Sequence, residues 1–183
     1  VDVLSFSTCV DIVTANGSVL FRYRYKDGSA EGYARSLNAE LASFTRSAVV
    51  PSLSPVSLKN LPVNSRIVLP SPNGSELSLL SGSKITLCAC LRNFKAIGEY
   101  INSTDGNVTV IAAGEKWLDG SIRFAIEDFI GAGAVLSVLV GSLSPEAEAC
   151  RSFFEANLSK LERLIYGCIS GKELVERGFA GDV

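Results

Sequence analysis

The chain has 183 residues, of which 47% are hydrophobic and 20% charged, and its 17 basic and 19 acidic side chains give a formal net charge of −2. This composition is that of one ordinary globular domain, and it excludes fibrous and disordered proteins. A chain of this length can bury a core without the help of disulfides or a structural metal. Because the charges are nearly balanced and form no block of one sign, we expect no nucleic acid partner.

Histidine and methionine are both absent from the chain. Without histidine there is no Ser-His-Asp or Cys-His nucleophile system and no histidine-ligated zinc. Catalysis would therefore depend on carboxylates, hydroxyls, amides, Lys, Arg, Cys or a bound hard cation. The lack of methionine, even at position 1, leads us to expect a chain that is incomplete at both ends. Within residues 1–183 we predict a single α/β domain.

The cysteines and the apolar segments predict the compartment. The chain has five cysteines, which are Cys9, Cys88, Cys90, Cys150 and Cys168. Their number is odd, and none of them has the CxxC spacing of a zinc or redox site. The longest apolar run, near residues 130–140, is too short and too glycine-interrupted to span a bilayer, and we recognise no secretory signal. We therefore expect reduced thiols in a soluble cytoplasmic protein that has no membrane partner.

Short β-branched runs alternate with longer segments of helical period, which is typical of βαβ units and a largely parallel or mixed sheet. The predicted strands are Val1–Phe6, Val19–Tyr25, Arg66–Leu69, Lys84–Leu91 and Asn107–Ala112. Helices are predicted from a cap at Ser7 or Thr8 to Asn16, and over Ser29–Phe44, Asn93–Ile101, Ser121–Leu139, Pro145–Tyr166 and Ser170–Arg177. The pattern therefore predicts an α/β fold.

The segment from Arg46 to Ser65 interrupts this alternation. It carries Pro51, Pro55 and Pro62 among serines and small apolar residues. A loop of this length in a compact domain usually carries function or is disordered.

Polar side chains follow the predicted strands, at the sheet edge where ligands bind in open α/β sheets. They carry hydroxyl, amide, guanidinium, ammonium or carboxylate groups, and they include Ser5, Ser7 and Thr8, then Asn73, which Gly74 follows, then Arg92 and Asn93, and finally Glu115, Lys116 and Asp119. This mixture suits an anionic, oxygen-rich ligand that is held together with a hard cation.

Three acidic residues stand out because they lie in apolar segments. Asp2 is inside a predicted strand, where a charge is costly unless it is paired or bound to a metal. It forms either a buried salt bridge or helix cap, or a metal-binding or catalytic carboxylate. Glu127 and Asp128 lie in an otherwise apolar predicted helix. Glu127 either pairs with Arg123 four residues earlier, or joins Asp2 in a magnesium site.

The arginines and glycines leave further alternatives open. Arg46, Arg92 and Arg123 either clamp phosphate or carboxylate through bidentate hydrogen bonds, or serve structural roles at the surface. Asn73-Gly74 either contacts the ligand, or caps a helix and allows close packing. We assign Gly131-x-Gly133 to close helix packing, because it follows helical residues rather than a strand.

Several strings of the chain are recognisable as a set. They are Asp2-Val3-Leu4-Ser5-Phe6-Ser7-Thr8, Leu69-Pro70-Ser71-Pro72-Asn73-Gly74-Ser75, Cys90-Leu91-Arg92-Asn93, Ala113-Gly114-Glu115-Lys116-Trp117-Leu118-Asp119-Gly120-Ser121, Glu127-Asp128 with Gly131-Ala132-Gly133-Ala134, and Ser170-Gly171-Lys172-Glu173-Leu174 with Gly178-Phe179 and Asp182-Val183. In this order, over nearly the whole chain, they resemble the 2-phosphosulfolactate phosphatase family.

The resemblance implies a magnesium-dependent acid phosphatase on a three-layer α/β/α sandwich, which hydrolyses the phosphate ester of a small anionic hydroxy acid. The family's named substrate is 2-phosphosulfolactate, in the pathway to coenzyme M. Carried onto this chain, the cluster that would bind Mg²⁺ and carry catalysis is Asp2, Glu127 and Asp128. The residues that would surround the substrate anions are Ser7, Thr8, Arg46, Asn73, Gly74, Arg92, Asn93 and Arg123.

The chain departs from the archaeal pattern at two places and is closer to the bacterial branch. Ser5 stands where an arginine usually follows Asp-Val-Leu, and a Gly-Glu-Arg plus Gly-Asn-Ser-Pro stretch is reduced to Arg46 and Leu53-Ser54-Pro55. A non-catalytic binding protein for a phosphorylated or carboxylated metabolite is the alternative function. The apolar helices around Ile130 and Phe153 can bury a partner face, so a homodimer is a further expectation.

Overall fold

The structure is a computed structural model that describes residues 1–25, 27–117 and 119–183. The chain divides into two compact units. We call residues 5–88 with Asp182 the sheet unit, and residues 1–4, 89–181 and Val183 the helical unit. Leu118, part of one recognisable string, lies outside the described residues. The prediction of one domain over the whole chain stays a prediction.

The sheet unit is built on three parallel strands. β1 (Val19–Tyr23) and β2 (Glu40–Leu41) both pair with β3 (Arg66–Pro70), so that the strand order is β1-β3-β2. The register places Val19 opposite Arg66 and Leu41 opposite Val68. The helices described in this unit are α1 (Phe6–Ala15), α2 (Ser29–Ser36), α3 (Pro55–Leu58) and α4 (Gly74–Leu80). The alternation of helices with parallel strands confirms the predicted α/β class.

The core of the sheet unit lies between α1 and the central strand β3. β3 is buried continuously from Ile67 to Leu69, as expected of a parallel strand that is covered on both faces. Phe6, Cys9 and Val13 recur at helical spacing on α1 and form one apolar cluster with that strand.

The helical unit contains a short antiparallel strand pair, β4 (Glu115–Lys116) with β5 (Ile122–Arg123). Its described helices are α5 (Phe94–Asn102), α6 (Ile126–Leu136), α7 (Pro145–Ala156), α8 (Leu161–Gly167) and α9 (Ile169–Glu176). Along the chain, short 3-10 helices cover Leu158–Lys160 and Ala180–Asp182. No helix among the described residues combines the length and the apolar character needed to cross a membrane.

Helix α6 forms the core of the helical unit. Ile130 and Ala134 are fully buried in a cluster with Phe154 of α7. The two helices approach closely at Gly133, where an added Cβ would lie 2.5 Å from the carbonyl oxygen of Cys150. The interpretation of this glycine as a packing residue is thereby confirmed.

Two of the predicted strands are confirmed, as β1 and β3, and three are wrong. Residues 1–6, 84–91 and 107–112 form no regular strand. Instead, α1 begins at Phe6. Strand propensity alone was insufficient at these segments, because a strand also needs a neighbour that accepts and donates its backbone hydrogen bonds.

A single parallel backbone pairing links two of these segments, residues 1–6 and the end of the segment 107–112. The amino group of Val1 donates to the Ile111 carbonyl at 2.8 Å, and the Val1 carbonyl accepts from the Ala113 N–H at 2.8 Å. A residue bracketed in this way by two residues of its neighbour is the repeating element of a parallel ladder. The pairing does not extend into a strand, since residues 3–5 turn into α1.

Two predicted helices are too long. The helix expected over residues 121–139 begins at Ile126, because Ile122 and Arg123 pair with β4. The helix expected over residues 29–44 ends at Ser36, two residues before Asn38, which has a positive φ of 49°. Asn tolerates this left-handed conformation, which ends helices.

The last two predicted helices also differ in detail. The helix expected over Pro145–Tyr166 is broken after Ala156 by a 3-10 turn. The helix expected over Ser170–Arg177 is α9, Ile169–Glu176, and the Cys168 sulfur caps it by accepting the Gly171 N–H at 3.2 Å.

Candidate functional site

Three buried carboxylates lie in the helical unit around the start of α6. The exposed fractions are 8% for Asp2, 2% for Glu127 and 4% for Asp128. Glu127 and Asp128 occupy the first turn of α6, where free backbone N–H groups favour negative charge. The charges of Asp2 and Glu127 both act on Asp128. The structure thus brings the three predicted acidic residues together, while their catalytic and metal-binding roles stay predictions.

Asp128 holds two backbone segments with its two carboxylate oxygens. Oδ1 accepts the Val3 N–H at 2.8 Å, and Oδ2 accepts the Gly114 N–H at 3.0 Å. Burial, together with the negative charges of Asp2 and Glu127, raises the pKa of Asp128 to about 8, although the hydrogen bond from Val3 acts in the opposite direction. Asp128 therefore organises the backbone around the site, at the cost of crowding like charges.

Glu127 differs from Asp128 because one of its oxygens has no partner. Oε2 is buried and forms no hydrogen bond with any described residue. The thiol of Cys168 lies beside the Glu127 carboxylate. Burial raises the pKa of Cys168 to about 11, and the charge of Glu127 and a side-chain hydrogen bond with Glu127 act in the same direction. A buried carboxylate oxygen without a donor is unfavourable, so it calls for a ligand, an ion or a water molecule.

Arg123 places a guanidinium group near these residues. It lies on β5, donates from Nη2 to Ser170 Oγ at 3.0 Å, and has its guanidinium carbon 5.8 Å from the centre of the Trp117 ring. Its positive charge also reaches the Cys168 thiol. The described residues contain no ion pair between Arg123 and Glu127. The i,i+4 pairing was wrong because α6 begins only after Arg123.

The other two predicted residues of the helical unit precede α5. Asn93 accepts the Cys90 N–H at 2.8 Å through Oδ1, and its side chain does not cap the helix. Arg92 is exposed next to it. The structure therefore gives Asn93 a local role in shaping the turn, and substrate binding by either residue stays a prediction.

In the sheet unit, Arg46 belongs to a buried ion pair. Its Nη1 lies 2.7 Å from Asp182 Oδ2, and its Nη2 donates to Ser5 Oγ. The two charged side chains are only 12% and 1% exposed. Asp182 Oδ1 also accepts from Ser54 Oγ at 2.7 Å and from the Val56 N–H at 3.0 Å. Ser5, which stands where the archaeal pattern has arginine, thus contacts a guanidinium group that Arg46 provides.

The residues predicted for the site did not include Asp182, Cys168 or Ser170. The side-chain partners of Asp182 lie 126 to 136 residues away along the chain, so no local pattern could indicate them. Cys168 and Ser170 become relevant only because the start of α9 packs near Glu127 and Arg123.

The remaining predicted residues of the sheet unit lie at the starts of two helices. Ser7 is buried and Thr8 partly exposed in the first turn of α1. Asn73 directly precedes α4, and its side chain does not cap that helix. At Gly74 an added Cβ would lie 2.4 Å from the Phe6 ring. Close packing against Phe6 therefore explains Gly74, in agreement with the interpretation that this glycine allows close packing.

The predicted site residues are distributed over both units. The sheet unit contains Ser7, Thr8, Arg46, Asn73 and Gly74, and the helical unit contains Asp2, Arg92, Asn93, Arg123, Glu127 and Asp128. Within the helical unit, the acidic residues and Arg123 form one neighbourhood through their shared interactions with Asp128 and Cys168.

The carboxylates supply the oxygen donors that Mg²⁺ prefers, but they do not converge as three ligands. In residues 1–25, 27–117 and 119–183, no three His, Cys, Asp or Glu side chains are placed to hold one metal ion. Both oxygens of Asp128 already accept backbone N–H groups. Mg²⁺ is usually bound by one or two carboxylates, with water and substrate phosphates completing its shell. The unpaired Oε2 of Glu127 fits that requirement.

Comparisons with known proteins agree on one family. A model of the 2-phosphosulpholactate phosphatase family matches residues 46–183, three quarters of the chain. The probable 2-phosphosulfolactate phosphatase of Thermotoga petrophila is 30% identical over 118 residues, which cover 64% of this chain and 49% of the relative. The probable enzyme of the same name from Carboxydothermus hydrogenoformans is 31% identical over 120 residues, with coverages of 64% and 48%.

An archaeal relative shows the same relationship over a shorter stretch. The 2-phosphosulfolactate phosphatase of Methanothermobacter thermautotrophicus is 35% identical over 96 residues, which cover 52% of this chain and 39% of the relative. The chain spans about half the length of the curated relatives it matches. The region matched by the family model includes Arg123, Glu127, Asp128 and Asp182. The chain therefore belongs to the 2-phosphosulpholactate phosphatase family.

Proposed function

We propose that this protein hydrolyses the phosphate ester of a small anionic hydroxy acid similar to 2-phosphosulfolactate. Membership of the family and the names of its relatives support this reaction and substrate class. The observation that carries the proposal is Glu127, a carboxylate only 2% exposed whose Oε2 is unpaired among the described residues. Such a group costs stability, which proteins tolerate where function requires it.

The residues around Glu127 can bind and orient a phosphate group. A phosphoryl group brings negative charge, which positioned cations and N–H donors must offset. Arg123 supplies a guanidinium that Ser170 orients through one hydrogen bond, and its other N–H groups can bind phosphoryl oxygens. Asp128 holds the backbone at Val3 and Gly114 in place. Asp128 is thus a positioning residue.

We also propose that Mg²⁺ is the cofactor and that Glu127 holds it, with Asp2 as the second acidic residue of the cluster. When bound, Mg²⁺ would supply positive charge against the phosphate and against the repulsion among the buried carboxylates. The unpaired oxygen of Glu127 and the charges that raise the pKa of Asp128 support this assignment.

The proposal is tested with Glu127→Gln, which preserves shape and removes the charge. We expect release of phosphate from 2-phospholactate and p-nitrophenyl phosphate to fall by at least about 100-fold, since a group that stabilises the transition state of phosphoryl transfer lowers the barrier by several kcal/mol. The matched control is Glu162→Gln on the exposed face of α8, which should retain full activity. Activity should also disappear in EDTA and return with Mg²⁺.

Two results would contradict the proposal. Full activity of Glu127→Gln would show that Glu127 takes no part in the reaction. Full activity in EDTA would show that the reaction does not need a metal ion. Tight binding of 2-phospholactate by the native protein, without turnover of any phosphate ester, would instead support the alternative of a non-catalytic binding protein.

A further inference from the structure

The sheet unit contains a cavity formed by none of the residues discussed above as site candidates. Its volume is about 270 Å³, and it is lined by Val10, Leu20, Arg22, Ser83, Lys84, Thr86 and Cys88. Val10 comes from α1, Leu20 and Arg22 from β1, and the others from the segment after α4. Leu20 and Arg22 are two residues apart on one strand, so their side chains leave the same face of the sheet.

The lining of this cavity is positively charged. It contains Arg22 and Lys84 and no acidic residue. Arg22 donates from Nη1 to the Ser78 carbonyl at 2.8 Å, which fixes the guanidinium group without neutralising its charge. Neither Arg22 nor Lys84 forms an ion pair with any described residue. Two neighbouring positive charges without a counter-charge create a local potential that attracts anions.

The cavity also has an apolar part. Val10 and Leu20 provide hydrocarbon wall, while Ser83 and Thr86 provide hydroxyls next to Lys84. Small-molecule sites typically combine an apolar lining with a few convergent polar groups. A volume near 270 Å³ exceeds that of a bare inorganic anion and fits a charged head group with a short carbon chain.

From these observations we infer that the cavity binds a small organic anion. Arg22 and Lys84 hold its phosphate, phosphonate or carboxylate head group, and its carbon atoms contact Val10 and Leu20. This site does not depend on the proposed phosphatase activity, because Arg22 and Lys84 have no part in it.

Cys88 offers a direct readout, because it lines the cavity and is only partly buried, whereas Cys9, Cys90, Cys150 and Cys168 are buried. Alkylation of a thiol depends on its accessibility as well as its ionisation. The experiment measures the rate of Cys88 alkylation by iodoacetamide in the full chain, by peptide mass spectrometry. The probe is butylphosphonate, which no phosphatase can hydrolyse. We expect saturable protection of Cys88, at least about threefold stronger than with inorganic phosphate because butyl burial adds affinity.

Charge-removing variants identify the binding groups. Lys84→Gln and Arg22→Gln should each weaken the butylphosphonate affinity by about tenfold, through loss of one charge-assisted contact. Arg66→Gln and Lys59→Gln are the controls and should not change the butylphosphonate affinity. Arg66 matches Arg22 because it also donates to a backbone carbonyl, that of Leu37 at 3.1 Å, but it does not line the cavity.

The inference is overturned if butylphosphonate gives no protection, if butylammonium protects equally well, or if Lys84→Gln binds like the native protein. Lys84 is exposed, so this variant remains informative even if Arg22→Gln does not fold.

Discussion

Glu127 and Asp128 are adjacent in α6 and almost equally buried, yet their oxygens have different partners. Asp128 accepts a backbone N–H with each oxygen, whereas Oε2 of Glu127 accepts none from the described residues. The fold therefore explains why Asp128 is buried, but it gives no hydrogen-bond partner to Oε2 of Glu127 among the described residues. The two residues therefore separate a structural role from a functional one within a single helical turn.

This difference predicts opposite effects on stability. In EDTA, Glu127→Gln should leave the free energy of unfolding unchanged or raise it by about 1 kcal/mol, since it removes an uncompensated buried charge. Asp128→Asn should lower it by about 1–3 kcal/mol, because the amide NH₂ cannot accept one of the two N–H groups. Urea denaturation measures both. If Glu127→Gln proved the more destabilising variant, the structural and functional assignments would have to be exchanged.

The ion pair of Arg46 and Asp182 gives a second prediction for single residues. Asp182 is almost completely buried and accepts two further hydrogen bonds, so Asp182→Asn leaves a buried guanidinium uncompensated. We expect a loss of about 3 kcal/mol in unfolding free energy.

The chain provides a matched exposed pair for comparison. Arg24 and Glu76 lie 3.5 Å apart with side chains 41% and 20% exposed. Glu76→Gln should cost less than about 1 kcal/mol, because solvent screens such a pair. Similar losses for Asp182→Asn and Glu76→Gln would contradict the role assigned to Asp182.

Among the secondary structure elements, α6 and α7 approach each other closely at Gly133. Gly133→Ala would place a Cβ 2.5 Å from the Cys150 carbonyl oxygen and 2.7 Å from Phe154 Cβ. We expect a loss of about 1–3 kcal/mol by overpacking, even though Ala favours a helix over Gly by about 1 kcal/mol. Thermal or urea denaturation gives the value.

Gly32 in the exposed α2 helix is the control for this substitution. No atom lies within 4 Å of an added Cβ there. Gly32→Ala should therefore stabilise the protein by about 0.4–1 kcal/mol. If both substitutions were stabilising, α6 and α7 would not approach as closely as described.

For the whole molecule, the proposed metal site predicts a ligand-dependent stability. A cation that binds only the folded state adds stability, about 2.7 kcal/mol at a concentration of 100 times its Kd. Mg²⁺ should therefore raise the Tm of the native protein and of Glu162→Gln, and should leave the Tm of Glu127→Gln unchanged. An equal rise in all three would place Mg²⁺ elsewhere in the protein.

The sequence by itself determined the α/β class, the parallel strands β1 and β3 and the lack of histidine chemistry, and it indicated the family. It also indicated Asp2, Glu127 and Asp128 as a group, because a charged residue in an apolar segment can be recognised from the sequence alone. These properties depend on composition and on periodicity between near neighbours, which the chain carries locally.

Only the tertiary structure decided which interactions these residues make. It placed Asp182 beside Arg46 across 136 residues, gave the oxygens of Asp128 to distant backbone N–H groups, and left Glu127 Oε2 unpaired among the described residues. It also left three strand-like segments without a ladder. The physical reason is that a hydrogen bond, an ion pair or a strand needs a partner, and the chain brings that partner near only by folding.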